Sequence, residues 1–92
     1  MDLTTLLERV GDGNKDYSVI SEHKEGNDKS VYEITTTGDC IYDDGHYVIF
    51  DKMGTNDRFS IPINEIKSID EKEEESYLII MNSGSMVALA TI

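Results

Sequence analysis

The chain has 92 residues, and 8 Lys and Arg stand against 19 Asp and Glu, for a formal net charge of −11. That length supports one small domain, residues 1–92, with a modest core and no second domain. The charge argues against direct binding of nucleic acid or an anionic membrane, because phosphate contacts need Lys and Arg; it favours a cationic partner or high solubility.

The chain holds one cysteine, Cys40, so no intramolecular disulfide can form and a Cys/His metal cluster would lack ligands. No apolar run approaches the ~18 residues of a membrane helix. The N-terminus Met-Asp-Leu-Thr lacks the basic region of a signal peptide. A reducing, cytoplasmic setting is expected.

Leu3, Leu6, Leu7 and Val10 recur at i, i+3, i+4 and i+7, which predicts a helix over 2–10 with one apolar stripe. Asp2 or Thr4 is its expected cap, and Gly11-Asp12-Gly13-Asn14 its stop. Strands follow at Asp16–His23 and Ser30–Thr37, around a polar turn at Lys24–Lys29. Asp39–Tyr42 and His46–Asp51 flank Asp43-Asp44-Gly45, a hairpin signal. Met53–Asp57 reads as a turn, and Arg58–Ile61 as a strand ended by Pro62, which has no N–H for a ladder. Ile63–Ile66 reads as one helical turn and Ile66–Ile69 as a short strand. The most charged run, Asp70–Glu75, then reads as a loop before a strand.

The C-terminal stretch Tyr77–Ile92 organises the chain. Two apolar runs flank Ser83-Gly84, and Gly tolerates the positive φ of a tight turn. Leu78–Met81 is apolar on consecutive residues. Successive strand side chains point to opposite faces, so such a run is normally buried on both, and something must cover each side. The expected fold is α+β: one N-terminal helix packed on a strongly curved antiparallel sheet or small open barrel, a meander of about six strands.

Glu71, Glu73 and Glu75 alternate. If extended, they share a face at about 6.6–6.8 Å spacing, near the separation of successive phosphates on one nucleic-acid strand. Asp43 and Asp44 lie on the neighbouring predicted hairpin. Together with Asp70 and Glu74 these acids are the candidate partner-binding residues: a row of charge offered to a protein that normally holds DNA or RNA. The bland alternative is a solvated loop whose acids discourage edge aggregation.

Other chemistries fit less well. Asp12-x-Asn14-x-Asp16 has the start of a calcium loop, but its sixth position is Tyr17 and its twelfth His23, where Gly and a bidentate Glu are needed. Cys40, Asp43, Asp44 and His46 crowd one hairpin; turn chemistry explains the acids better than a metal site does. No nucleophile elbow or phosphate loop is present, so no enzyme, cofactor or metal is expected. Tyr32, Tyr42, Tyr47 and Tyr77 could line a ligand pocket, although strand tyrosines more often pack on cross-strand neighbours.

Asp2-Leu3-x-x-Leu6-x-Glu8 followed by Asn14-Lys15-Asp16-Tyr17-Ser18-Val19 resembles the opening of small acidic anti-CRISPR proteins made by phages. The resemblance covers about a fifth of the chain. It implies a small α/β protein whose acidic surface occupies the DNA-binding region of an RNA-guided nuclease, with carboxylates replacing guanine on the PAM-reading arginines. It also implies a host-cell cytoplasmic setting, if the gene is a phage's. The family member follows its sheet with helices, whereas this chain continues in strands, so its contact residues do not carry over. Ile61-Pro62-x-x-x-Ile66-x-x-Ile69 is similar to small barrel modules of the PH-like or Sm-like kind, which speaks to fold alone.

The leading expectation is therefore a DNA-mimic inhibitor of a basic nucleic-acid-binding protein or nuclease. The alternative is an adaptor or self-associating module, a homodimer through a sheet edge included, with Thr91-Ile92 as the open strand.

Overall fold

The computed structural model describes residues 1–11, 15–52 and 54–92. The expected helix stop at Asp12–Asn14, two of the three calcium-loop positions, and Met53 of the Met53–Asp57 turn lie outside the described residues. The helix α1 spans Leu3–Gly11. Asp2 caps it by accepting the Thr5 N–H at 2.8 Å, an orphan donor of the first turn. The apolar stripe does what its spacing predicts: Leu6 and Val10 are buried, and Leu3 and Leu7 pack against the core from its margin.

Eight strands follow, all paired antiparallel. They are β1 Asp16–Glu25, β2 Asp28–Thr37, β3 Ile41–Asp43, β4 Tyr47–Asp51, β5 Arg58–Pro62, β6 Ile66–Glu73, β7 Ser76–Met81 and β8 Met86–Thr91. The fold is α+β, with two more strands than the six expected. The five-stranded sheet runs β2-β1-β8-β7-β6 and the three-stranded sheet β3-β4-β5.

Two differences from the expected meander have clear causes. β1 and β2 zip through ten pairs, out to Glu25 opposite Asp28. Gly26, at φ 63°, lets a two-residue turn replace the longer polar loop read at Lys24–Lys29. β8 pairs with β1 on one side and β7 on the other. Thr91-Ile92 therefore ends an interior strand, and the expected open C-terminal edge is corrected: the free edges of the large sheet are β2 and β6.

Short 3-10 turns at Gly38–Cys40 and Ile63–Glu65 carry the chain between the sheets. Gly38 is required at the first crossing, because a Cβ there would collide with the Val10 carbonyl at the end of α1. The sheets face each other across Val19, Ile34, Val48, Phe50, Ile61, Ile79, Val87 and Leu89. At one end Phe50 stacks on Phe59 with ring centres 4.6 Å apart, and Tyr32 of β2 meets Phe59 edge-on at 5.7 Å. At the other, the Ile63 N–H donates to the His46 carbonyl at 2.9 Å. The helix lies against β3, and the Met1 amine donates to the Ile69 carbonyl of β6 at 2.9 Å. No helix among the described residues is long and apolar enough to cross a membrane.

Candidate functional site

The acidic run is not a loop. Asp70–Glu73 continues β6, and Glu74-Glu75 forms the turn into β7, with Glu75 at φ 61°. A register shift lies between Glu71 and Glu73: Glu71 stands opposite Tyr77 and Glu73 opposite Ser76. Lys72 is the extra residue of this bulge. Tyr77 faces the core, so Glu71 and Glu73 project from opposite faces, and the expected single-faced row of Glu71, Glu73 and Glu75 is broken.

The members of that row have different partners. Glu71 pairs with Arg9 of α1, and Glu75 with Lys15. Asp70 stands opposite Leu78, on the face that carries Glu73, two positions away along β7. That places Asp70 and Glu73 about 7 Å apart, the spacing first read for the alternating glutamates. Neither they nor Glu74 take part in an ion pair among the described residues.

Asp43 and Asp44 hold their own turn. Asp43 accepts the Gly45 N–H at 3.1 Å; Asp44 accepts those of His46 at 2.9 Å and Tyr47 at 2.7 Å. Those two backbone donors hold the Asp44 carboxyl below its ordinary range. Through His46 and Ile63 this turn is tied to the start of β6, while Glu73–Glu75 lie at its far end. At the rise of a strand that is about 20 Å. The two groups of acids do not form one continuous row.

The residues that sequence reasoning missed lie on the outer face of the large sheet. Its buried residues, among them Val19, Ile79, Val87 and Leu89, alternate with Ile20, Leu78, Ile80, Met86 and Ala88, which point away from the core. Ile20 is 39% exposed, and the other four are half-buried by their neighbours. Their signal was in the sequence: the consecutive apolar run Leu78–Met81 demanded cover on two sides, and the described residues cover one.

A cleft of about 380 Å³ opens where β5 faces β1, β7 and β8, with Phe59, Ile61, Met81 and Val87 among its apolar walls and His23 and Ser85 at its polar end. Ser85 Oγ sits 3.3 Å from His23 Nδ1 and accepts the Lys24 N–H at 3.2 Å. This hydroxyl–imidazole contact joins residues far apart in sequence, and no acid orients the ring among the described hydrogen bonds. The tyrosines do not gather around the cleft. Tyr77 is buried in the core, Tyr42 donates to Asp51 at 2.9 Å, and Tyr47 lines a shallower pocket beside Pro62 and Ile63. Cys40 meets the Thr37 hydroxyl at 3.4 Å, and no three of His, Cys, Asp and Glu converge among the described residues.

Fold and site together define a small acidic α+β protein with one apolar sheet face that no second layer covers among the described residues. No family model matches the chain, and no curated protein matches it. Among solved structures, the C-terminal domain of an unknown protein from Leishmania infantum is similar at 15% identity and a TM-score of 0.44, over 97% of this chain and 84% of that one.

Proposed function

We propose that this chain is a small, non-catalytic inhibitor that binds a basic nucleic-acid-handling protein and occupies its phosphate-contact groups, as anti-CRISPR DNA mimics do, in the cytoplasm. One observation carries the reading. Asp70, Glu73 and Glu74 stand at the β6 edge and its turn with no ion pair among the described residues, in a chain of net charge −11. Carboxylates so placed attract Lys and Arg and raise the association rate. Glu71 and Glu75 already hold Arg9 and Lys15, and Asp43 and Asp44 hold a turn, so the first three acids carry the function.

The test is competition. The immobilised chain is loaded with host lysate at low salt and then washed with duplex DNA. A mimic releases its partner to DNA and to rising salt, and the Asp70→Lys, Glu73→Lys, Glu74→Lys variant captures none. A partner indifferent to DNA, salt and reversal contradicts the reading.

A second reading, an adaptor that pairs through a sheet edge, is favoured by β2. Its ten residues have no strand beyond them among the described residues, and Val31 is 61% exposed. Under that reading Val31→Lys abolishes capture and the reversal of the β6 acids does not.

A further inference from the structure

The strand registers order the residues on the outer face of the large sheet into rows. From β2 to β6, one row reads Val31, Glu22, Met86, Ile80, Ser68. The middle row reads Glu33, Ile20, Ala88, Leu78, Asp70, and the third Thr35, Ser18, Ala90, Ser76, Glu73. The apolar residues cluster in the first two rows; the middle row ends in Glu33 and Asp70 and the third in Glu73, while beyond the first row Lys29 of β2 stands opposite Lys24 of β1 and meets Glu22 at 3.1 Å. None of Ile20, Leu78, Ile80, Met86 and Ala88 belongs to the core cluster or packs against it. A sheet face of this composition is ordinarily covered by another layer.

We infer that this outer face docks an amphipathic helix of the partner protein, with an apolar stripe flanked by Lys and Arg. The inference rests on the proposed function for the sign of the partner's charge, and names the surface and the shape that function left open.

Charge selects the occupant. Glu33 and Asp70 end the middle row four strand spacings apart, about 19 Å, so an apolar stripe laid between them brings its flanks against carboxylates. A second copy of this chain would set such a rim against an identical one, with −11 on each side. Width selects the element. A helix of roughly 10 Å diameter laid along β7 and β8 covers Leu78, Ile80, Met86 and Ala88, with Asp70 and Glu73 of β6 along one flank and Glu33 beyond Ile20 on the other. A docked sheet would lie over the acids as well.

The experiment uses the whole chain and a synthetic helical peptide of about 18 residues, leucines along one stripe and lysines elsewhere, beside its leucine–glutamate counterpart. Affinities are measured at low and high salt for the native chain and for Leu78→Ser with Ile80→Ser. The native chain binds the lysine peptide and not the glutamate peptide, and the double variant loses about tenfold or more. Should that variant unfold, Ile80→Thr, which keeps a β-branched residue in the strand, is the second variant and loses affinity in the same direction. Equal binding by a folded face variant overturns the docking face and leaves the charge reading standing. Failure of the native chain to bind the lysine peptide at low salt removes the charge reading itself, and this inference with it. A native dimer that the face variant dissolves makes a second copy the occupant and overturns the inference.

Discussion

The two faces of the five-stranded sheet are made of the same strands and similar residues, yet they have opposite fates. On the inner face Val19, Ile79, Val87 and Leu89 are at most 1% exposed, closed over by the three-stranded sheet and α1. On the outer face Ile20, Leu78, Ile80 and Met86 lie one residue along in the same strands and have no such layer among the described residues. Hydrophobicity alone does not separate the two sets; position relative to the second layer does. The described residues supply one covering layer and one helix, and both are used on one side.

The sharpest way to test this contrast is to truncate neighbours on opposite faces. Ile79→Ala removes buried methyl groups and leaves a cavity, so urea unfolding should show a loss of about 2–4 kcal/mol. Ile80→Ala, one residue away, should cost under about 1 kcal/mol in the isolated chain, because its side chain is already partly wet. Similar losses at both positions would mean that the outer face is also part of the core.

Gly38→Ala tests how the covering layer is held. The added methyl meets the Val10 carbonyl, so α1 must shift from the crossing between the sheets. We expect a loss of about 1–3 kcal/mol, within the range of overpacked sites.

The acids separate in the same manner, into those that hold structure and those that face outward. Asp2 is held low by hydrogen bonds from Thr5, and Asp44 by the N–H groups of His46 and Tyr47. A carboxyl lowered in the folded state adds stability above its unfolded value of about 3.8 and loses it as pH falls through the folded value. Asp44→Asn should therefore flatten the fall in stability below about pH 4 relative to the native chain, as read by unfolding midpoints across that range. The smallest effect is expected at the exposed pair: Arg9→Ala should cost under about 0.5 kcal/mol after solvent screening.

Much of the architecture was legible in the sequence, for physical reasons. The leucine spacing of α1, the Gly-containing turns and the apolar runs of β7 and β8 act locally, and they form where they were read. Strand ends were harder. β6 runs on through Asp70–Glu73 because pairing with β7 outweighs the low strand propensity of acids. The bulge at Lys72 has no signature in a run of charged residues, yet it decides which glutamate faces which way. The pairing of β1 with β8 joins the two ends of the chain and could not be inferred from neighbouring residues. Asp43 and Asp44 were legible as turn residues, and that is where the structure uses them. The candidate face was half legible: Leu78–Met81 announced two covered sides, but only the registers show that the described residues leave the second uncovered and that its middle row ends in Glu33 and Asp70.

Methyl chemical-shift mapping of the native chain, with the leucine–lysine helix added, tests the central claim most directly. The account predicts shifts at Ile20, Leu78 and Ile80, with Val19, Ile79 and Leu89 little changed. Binding that moves only the methyls lining the β5 cleft, or shifts none on the outer face, would contradict it.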